Sequence, residues 1–577
     1  MVRCNARAIS RFWKDLWTHL HVYVYAQAFS FVQELCHVGN IRRTSEFDIS
    51  VSMASSVTKE HYRLEKEAFV SDHGGTTPYE VIFTLLPNVC GILLTTTTLG
   101  VFRKCTQHKN VNVIIEFMLI VIPTILCCTV LSEYSGSMCI VMIFISAMNL
   151  TLLWNEKTIR SNTAVPSIAT RKPFLTNFRA LTNIITAICI LAVDFRSFPR
   201  KFAKTEVYGY SLMDTGVGLF ILANAVVAPQ TRDFFLDRQT RFQDILRKNL
   251  KDCFRNCALL LLLGLGRFVA VELIGYQKHV SEYGVHWNFF VTLAVVKFII
   301  SMITSTISSK YSLFSGIWIL GMHEYTMNTK GLKTWVLGNS PRDEFFSANR
   351  EGLISVPGYV GLYFLGIAVG RIIYSTYQKF HTKLKMTTSI KLYNVDVVIS
   401  YNASILLCIK LSFICAIAYI ATLFCDSYFK VSRRLANAGY CLWILSLTVL
   451  LLMLLLLVDF VLDLINHTVD IPYVESKKER GKRIMLDLIL NVKKDIENKR
   501  EENKEYVVKK SLEIFDAVNY NSLFFFLLSN VMTGLVNLVT YTLYVKDSVA
   551  VLILIVYMAI TIFSALVLYR FQVQIKL

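Results

Sequence analysis

Long apolar runs recur along nearly the whole chain beyond residue 80, and this feature constrains the fold more than any other. A helix needs roughly 17–25 predominantly apolar residues to cross a bilayer, and only helices or closed barrels satisfy their backbone polar groups within lipid. Hydrophobic residues make up 54% of the 577 residues and charged residues 18%, whereas soluble proteins carry about 25% charged residues. The sequence therefore predicts an all-α integral membrane protein.

The apolar runs predict thirteen transmembrane helices in a single bundle. Their expected positions are 81–101, 112–131, 135–154, 175–194, 211–228, 254–275, 287–307, 311–326, 354–376, 402–424, 438–462, 519–545 and 548–569. The eighth run is short and includes His323 and Glu324, which leaves twelve helices as the alternative.

The remaining residues divide the chain into further parts. Residues 1–52 are too polar to span a membrane and lack the apolar core of a signal peptide, so we interpret them as a weakly ordered extension or a gene-model artefact. Residues 53–80 are expected to form a luminal segment, and residues 81–577 the multi-pass domain. A charged loop at 463–518 interrupts this domain and is expected to lie in the cytosol.

The charged residues indicate an orientation in the membrane. The formal net charge is +19, but Lys and Arg lie between the apolar runs, a pattern of membrane topology that excludes nucleic acid as a partner. Alternate loops carry 31 Lys and Arg on one side and 13 on the other, or 19 against 13 without the 463–518 loop. Because cytosolic loops are the richer in these residues, we expect a luminal N-terminus and a cytosolic C-terminus.

The sequence lacks the motifs of several soluble enzyme classes. It contains no Walker loop, no HExxH and no GxSxG. Its fourteen cysteines include no CxxC pair and no His-Cys group at zinc spacing. We therefore interpret the cysteines as apolar filling and expect no metal site.

The loop after the fourth run, residues 191–218, has an unusual density of charge. Asp194 ends an apolar helix, and Pro199 prevents simple helical continuation. Four cations follow on the side that is otherwise poor in them: Arg196, Arg200, Lys201 and Lys204. Such cations could hold phosphate or CoA groups; the alternative is an ordinary interfacial elbow with snorkelling side chains.

Further polar residues fall near helix ends. Asp214 lies just inside the fifth run, where an ionisable group normally faces a cavity or a partner. His286 and Asn288 lie between the sixth and seventh runs, on the predicted side of Asp194, and histidine can act as base or donor near neutral pH. Further residues within helices or near their ends could together help to hold a polar lipid headgroup near one membrane face: Arg179 with Asn177 and Asn183, Glu351, Arg433, Arg434, Asn437, Asn530 and Asn537. Composition and spacing alone thus indicate a membrane enzyme or a transporter with a polar cavity.

Eight sequence stretches, which follow one another along most of the chain, resemble those of a known family. They are KEAFVS at 66–71, FLTNFRA at 174–180, ICILAVDFRSFPRKFAKTE at 188–206, YSLMDTGVG at 210–218, SEYGVHWNFF at 281–290, NREGLISVPGY at 349–359, SRRLAN at 432–437 and LSNVMTGLVN at 528–537. From about residue 66 to its end, the sequence resembles the phosphatidylinositol-glycan class W family, the inositol acyltransferases of GPI-anchor biosynthesis.

The resemblance implies an activity and a pair of catalytic residues. The family transfers a fatty acyl group, usually palmitoyl from acyl-CoA, to an inositol hydroxyl of glucosaminyl-phosphatidylinositol in the endoplasmic reticulum. It also implies thirteen helices and acyl-CoA as co-substrate; we expect no permanently bound cofactor and infer no obligate protein partner. The family's proposed catalytic Asp and Lys, ten residues apart, correspond to Asp194 and Lys204 here.

These residues suggest a mechanistic hypothesis. Asp194 would take the proton of the inositol hydroxyl, while Lys204 would position Asp194 and stabilise charge on the thioester oxygen. The remaining candidates would bind substrate: Arg196, Arg200 and Lys201 at phosphate groups, and His286 with Asn288 at the acceptor. The rival interpretations are a transporter or lipid flippase, an acyltransferase for another membrane-bound alcohol, and a structural scaffold.

Overall fold

The structure is a computed structural model, and it describes most residues beyond position 60. The described ranges are 61–62, 64–69, 71, 73–102, 109–159, 172–232, 254, 257–269, 280–329, 331–338, 340–380, 386–392, 395–466 and 511–575. The chain divides into two units, 1–69 and 70–577, and the architecture below belongs to the second. The predicted extension at 1–52 and most of the 463–518 loop lie outside the described residues, so the predictions about them stay predictions.

Thirteen principal helices form the second unit within the described residues. They are α1 (Pro78–Val101), α2 (Lys109–Cys128), α3 (Ser135–Ile159), α4 (Pro173–Ala192), α5 (Leu212–Ala225), α6 (Cys257–Val269), α7 (Phe289–Thr306), α8 (Ser312–Thr329), α9 (Arg350–Lys379), α10 (Ala403–Phe429), α11 (Ala438–Asn466), α12 (Ser522–Val539) and α13 (Asp547–Arg570). Each helix overlaps one predicted span, which confirms the mainly helical, multi-pass fold.

Ten of these helices are long and apolar enough to cross a membrane. Helices α5 and α6 are apolar but shorter, and α8, the span that already looked doubtful from its sequence, is not among the ten. The number of thirteen membrane crossings therefore stays a prediction. The predicted all-α fold also omitted one hairpin, in which β1 (Met386–Leu392) pairs antiparallel with β2 (Val395–Tyr401) inside the expected 377–401 loop.

Short helical elements connect the principal helices. The α-helical ones are Val280–Tyr283, Leu332–Leu337, Phe345–Ala348 and Glu513–Tyr520. The 3-10 turns are Ser132–Tyr134, Arg200–Phe202, Pro229–Thr231, Ser309–Tyr311 and Thr542–Tyr544, and a π-helical turn, Phe117–Val121, lies within α2.

Helices α1, α4 and α9 are the most deeply buried of the ten long apolar helices. In each, 78% of the most apolar stretch is buried, compared with 72% in α11 and 22% in α3, α10 and α12. A helix that is apolar and buried on all sides belongs in a core, whereas one with an exposed apolar surface suits contact with lipid. The Asp194 loop therefore follows directly from one of the most deeply buried helices.

The loops predicted to share one membrane side come together at one end of the bundle. The backbone N–H of Gly209 donates to the Val431 carbonyl at 3.0 Å, and that of His286 donates to Asn349 Oδ1 at 2.8 Å. At the other end, the Asn519 side chain donates to the carbonyl of Thr176 at 2.7 Å. The alternation of loops agrees with the predicted topology, while the assignment of luminal and cytosolic sides stays a prediction.

A glycine on α9 allows the 430–437 loop to reach the core. A Cβ atom on Gly358 would lie 1.9 Å from the carbonyl oxygen of Ala436, far inside van der Waals contact. Ala436 itself adopts a positive φ of 46°, a conformation that non-glycine residues rarely adopt. This close approach places Arg433 and Arg434 at the end of the bundle where the loops of Gly209 and His286 also lie.

Candidate active site

The Asp194 loop is held by aromatic side chains and by one arginine. Phe195, Phe198 and Phe202 are each at most 1% exposed, so the loop is anchored in the apolar core. The Arg200 guanidinium donates to the carbonyls of Val193, Phe195 and Phe198 at 2.9–3.0 Å. Burial lowers the pKa of Arg200 to about 10, an effect that the nearby Asp194 opposes. These contacts show Arg200 bracing the loop; phosphate binding by Arg200 stays a prediction.

Asp194 lies immediately beyond the end of α4, with only 5% of its surface exposed. Its Oδ2 atom accepts a hydrogen bond of 2.8 Å from the side-chain amide of Asn537, which lies on α12. A hydrogen bond from a fixed amide orients a carboxylate without neutralising it. Asn537 therefore positions Asp194 at the junction of two helices.

Lys204 belongs to a chain of charged groups that crosses three loops. Its Nζ lies 2.7 Å from Glu282 Oε2. The other Glu282 oxygen lies 3.4 Å from Arg433 Nη1, and Arg433 Nε lies 2.6 Å from Asp214 Oδ1. Asp214 also accepts hydrogen bonds from the backbone N–H and the hydroxyl of Thr205, at 3.2 and 2.7 Å. We call Lys204, Glu282, Arg433 and Asp214 the Glu282 network.

Within the Glu282 network, the partly buried Glu282 and the buried Arg433 remain charged. Burial alone would raise the pKa of Glu282, but Lys204 and Arg433 outweigh it and lower that pKa to about 2. Burial would likewise lower the pKa of Arg433, but Asp214 and Glu282 raise it above the ordinary value. Lys204 is the network's exposed end, since 38% of its side chain is accessible. The accessible Lys204 ammonium, held in place by the Glu282 carboxylate, can therefore form a charge-assisted hydrogen bond with a negatively charged group of a substrate.

Acidification is expected to remove the stabilising contribution of Glu282. Because its pKa is lowered from the ordinary 4.5 to about 2, this contribution is complete above pH 4.5 and falls as the pH drops towards 2. The unfolding temperature of the purified protein, measured between pH 6 and 3, should fall with pH in the wild type. It should fall less in Glu282→Gln, which lacks the Glu282 contribution. Glu133→Gln, at an exposed site, should follow the wild type. A wild-type profile parallel to that of Glu282→Gln would contradict the assignment.

A second charged group surrounds Glu351, whose side chain is fully buried. Its Oε1 atom lies 2.6 Å from Arg342, 2.8 Å from Arg434 and 3.6 Å from Arg350. Arg350 also donates to the carbonyls of Gly338 and Ser340, at 2.5 and 3.0 Å. Because Arg434 follows Arg433 in the chain, one loop joins this Glu351 cluster to the Glu282 network.

Three further predicted residues lie at the same end of the bundle. Arg196 is exposed, and Lys201 forms an ion pair of 3.0 Å with Glu80 at the start of α1. The exposed His286 ring has its centroid 5.7 Å from that of Phe268 and 6.4 Å from that of Phe345. These side chains rim the site, and their contact with substrate stays a prediction.

Two predicted asparagines have structural contacts. Asn288 caps α7: its Oδ1 accepts from the backbone of Phe290 and Val291, and its Nδ2 donates to the Gly264 carbonyl. Asn437 acts similarly in the 430–437 loop, which we call the arginine loop: its Oδ1 accepts from the backbone N–H groups of Ser432 and Tyr440, at 3.1 Å each. Both side chains hold backbone in place, so a role in substrate binding stays a prediction for them.

Arg179 is not at this end of the bundle, contrary to its predicted grouping near one membrane face. It lies in the first half of α4, whereas Asp194 follows the end of that helix. At 1.5 Å per residue, fifteen residues separate the two by about 22 Å along the axis. Asn530 lies two turns before Asn537 on α12 and donates to the Phe526 carbonyl of its own helix.

The sequence alone did not single out two residues that the structure brings to the site, Glu282 and Asn537. Glu282 belongs to the SEYGVHWNFF stretch, in a loop predicted to lie on the same membrane side as Lys204. An acid on that side could have been considered as a partner of the lysine. Asn537 lies near a helix end, like several other asparagines. No sequence signal separates it from them, because its contact with Asp194 joins residues 343 positions apart.

Comparison with known proteins shows the family. The family model described as GWT1 matches residues 62–568. The chain belongs to the GWT1 family. Members with curated names cover it broadly: the glucosaminyl-phosphatidylinositol-acyltransferase PIGW of Mus musculus is 30% identical over 89% of this chain and 98% of its own length. The Bos taurus protein of the same name is 31% identical with the same coverage.

A fungal relative extends the match. The GPI-anchored wall transfer protein 1 of Candida glabrata is 31% identical over 89% of this chain and 99% of its own length. Nearly the full length of each relative is thus matched by this chain, and the family-model match at 62–568 spans the Glu282 network and the Asp194 loop.

Proposed function

We propose that this GWT1-family protein is an acyltransferase of GPI-anchor biosynthesis. It transfers a fatty acyl group, palmitoyl in the simplest case, from acyl-CoA to an inositol hydroxyl of glucosaminyl-phosphatidylinositol in the endoplasmic reticulum membrane. The observation that carries this proposal is the near full-length match to relatives named as glucosaminyl-phosphatidylinositol acyltransferases. A buried carboxylate, Asp194, and an accessible lysine, Lys204, ten residues apart in one loop, support it.

The chemistry requires a base and a positive group. A neutral inositol hydroxyl is a weak nucleophile, so Asp194 removes its proton as the oxygen attacks the thioester carbonyl. Lys204 donates a hydrogen bond to the oxyanion that develops on that carbonyl. When the intermediate collapses, the C–S bond breaks, and the CoA thiolate takes the proton that Asp194 holds. The products are the inositol ester and CoA, and Asp194 is again a carboxylate.

Two contacts add positioning residues to the sequence hypothesis. Lys204 pairs with Glu282, and Asn537 donates to Asp194. In the proposed mechanism, Asn537 therefore positions the base and Glu282 positions the lysine. Because the two groups have separate supports, Lys204 can approach the substrate carbonyl without withdrawing from Asp194.

Complementation tests the function directly. The full chain is expressed in cells that lack inositol acylation, and we expect acylated glucosaminyl-phosphatidylinositol to appear in the lipid extract by mass spectrometry. The same cells carrying an empty vector provide the baseline. Correctly inserted protein without an acylated product would overturn the proposal, and substrate-dependent lipid flux without a covalent product would favour the transporter interpretation.

A further inference from the structure

A short segment in front of α1, residues 73–77, lies along the Asp194 loop, and we call it the strap. The backbone N–H of Glu206 donates to the His73 carbonyl at 3.2 Å, and that of Thr76 donates to the Tyr210 carbonyl at 2.6 Å. Thr76 and Tyr210 form an isolated antiparallel bridge, so the strap and the loop run in opposite directions. The strap is therefore joined to the loop at two points, both just beyond the catalytic lysine.

Glycines at two positions allow the strap and the loop to lie this close. Gly75 has a φ of 81° and Gly209 a φ of 131°, values that residues with a side chain rarely adopt. A Cβ atom on Gly75 would lie 2.4 Å from the Tyr210 carbonyl oxygen and 2.7 Å from Thr205 Cγ2. A Cβ atom on Gly209 would lie 2.4 Å from the Gly74 carbonyl oxygen and 3.2 Å from the same methyl group. The Thr205 methyl group thus packs against two positions that have no room for a side chain.

Thr205 connects the strap to Lys204, which directly precedes it in the chain. It is only 4% exposed, and its backbone N–H and hydroxyl both donate to Asp214 Oδ2. Closely packed buried groups do not shift singly, so a displaced strap would also displace Thr205 and the backbone of Lys204. The Lys204 ammonium would then lose its 2.7 Å contact with Glu282.

The first turn of α1 holds the same loop on the other side of Lys204. Glu80 forms an ion pair of 3.0 Å with Lys201 and accepts a hydrogen bond from the Thr76 hydroxyl. Lys201 precedes Lys204 in the loop, whereas the strap contacts follow it. The strap and Glu80 together therefore fix the chain on both sides of the lysine.

We propose that the strap is a positioning element for acyl transfer, which holds Lys204 at the substrate carbonyl through Gly75, Thr205 and Gly209. The inference rests on the proposed function and deepens it. These three are positioning residues, because each acts through Lys204. A catalytic group must be held within about 0.5 Å of its productive position, and a misplacement of about 1 Å can lower the rate roughly 10²-fold.

Two adjacent glycines provide a matched test. The full chain is reconstituted in lipid nanodiscs, and kcat and KM are measured for acylation of glucosaminyl-phosphatidylinositol by palmitoyl-CoA. We expect Gly75→Ala to lower kcat roughly 10-fold to 100-fold and to leave both KM values unchanged, because the strap holds Lys204 and not the substrates. Gly74→Ala should keep the wild-type kcat, since a Cβ atom there meets nothing within 4 Å. Equal kcat values in the two variants would overturn the proposal.

A double variant separates positioning from a general structural effect. In a Lys204→Ala background the lysine is already missing, so Gly75→Ala should cause no further loss of kcat, because both changes act on one group. The same fold loss of kcat with and without Lys204 would assign the strap a structural role only and overturn the proposal.

Chemical labelling reports the position of Lys204 without any acyl transfer. An N-hydroxysuccinimide ester modifies accessible amines, and peptide mass spectrometry gives the rate for each lysine. We expect Lys204 to react several-fold faster in Gly75→Ala than in the wild type, as it should in Glu282→Gln, because each change releases the amine from its carboxylate partner. The exposed Lys310 should react at one rate in all three proteins. An unchanged Lys204 rate in Gly75→Ala would contradict the proposal.

Glu80→Gln tests the same element if Gly75→Ala does not fold, because it leaves the backbone without strain. The Glu80–Lys201 pair is partly exposed, so its loss should lower kcat only about 2-fold to 5-fold. The charge-swapped variant, Glu80→Lys with Lys201→Glu, should restore kcat, which would not happen if Lys201 bound a substrate phosphate. With Gly75→Ala unfolded, an unchanged kcat in Glu80→Gln or no restoration by the swap would overturn the proposal.

The outcomes separate the strap from the proposed function. A wild type that does not acylate glucosaminyl-phosphatidylinositol, but whose Lys204 labels faster after Gly75→Ala, would contradict the proposed function and leave the strap standing as the element that holds Lys204. Normal acylation with an unchanged kcat in Gly75→Ala would contradict the strap alone.

Discussion

Replacement of Asp194 by asparagine is expected to abolish acyl transfer and to leave a folded, membrane-inserted protein. The amide has the size of the carboxyl group, and its oxygen can still accept the 2.8 Å hydrogen bond from Asn537. What it loses is the ability to take a proton from the inositol hydroxyl. General-base catalysis contributes typically about 10²–10⁴-fold, so the rate should fall by at least that range. Mass spectrometry of acylated glucosaminyl-phosphatidylinositol in isolated membranes measures it.

The control for Asp194→Asn is Asp343→Asn, which makes the same chemical change at an exposed position. It should retain wild-type turnover, and both variants should elute as monodisperse protein in detergent with similar unfolding temperatures. Turnover near the wild-type rate in Asp194→Asn would remove Asp194 from the role of base. Unfolding of Asp194→Asn would instead show that the carboxylate has a structural role.

Replacement of Glu351 by alanine is expected to cause the largest loss of stability. Its carboxylate lies among Arg342, Arg350 and Arg434 and is fully buried. Removing one partner of a buried ion pair costs about 3–5 kcal/mol, because the remaining charge is left without compensation. Here three guanidinium groups lose their shared acceptor. The unfolding temperature and the monodisperse fraction after extraction from the membrane should both fall.

Asp343→Ala is the matched control for Glu351→Ala, since Asp343 is an exposed acid next to Arg342 in the chain. Its stability should stay within about 0.5 kcal/mol of the wild type. Glu351→Gln, which keeps an acceptor oxygen but not the charge, should give an intermediate loss. Unchanged stability in Glu351→Ala would mean that the arginines find other partners, and the Glu351 cluster would then not be what holds the arginine loop.

The two charged groups make the arginine loop a link between stability and activity. Arg433 belongs to the Glu282 network that holds Lys204, and Arg434 belongs to the Glu351 cluster. Loss of the Glu351 cluster should therefore also disturb Lys204, through a loop that Gly358 allows to lie directly on α9. A Glu351→Gln variant that stays folded at the assay temperature but transfers acyl groups more slowly than the wild type would support this connection.

The sequence by itself determined the helices and the loop that contains Asp194. The length of an apolar run and the charges at its ends are local properties, so α1, α4, α9 and α11 lie where they were predicted. The cation density after Asp194 is local too, and it identified the loop before any contact was known. Helix α8 was less certain because its run is short and includes His323 and Glu324, and packing decides such cases.

Only the tertiary structure decided which polar residues share a site. Glu282 meets Lys204, and Asn537 meets Asp194, across 78 and 343 residues of chain. Such pairs have no period or spacing in the sequence, because they depend on how the helices pack. The same packing separates Arg179 from Asp194 by the length of α4, although sequence reasoning had grouped them. Local free energies thus decide where each helix begins and ends, whereas the partners of a buried charge are set by the bundle as a whole.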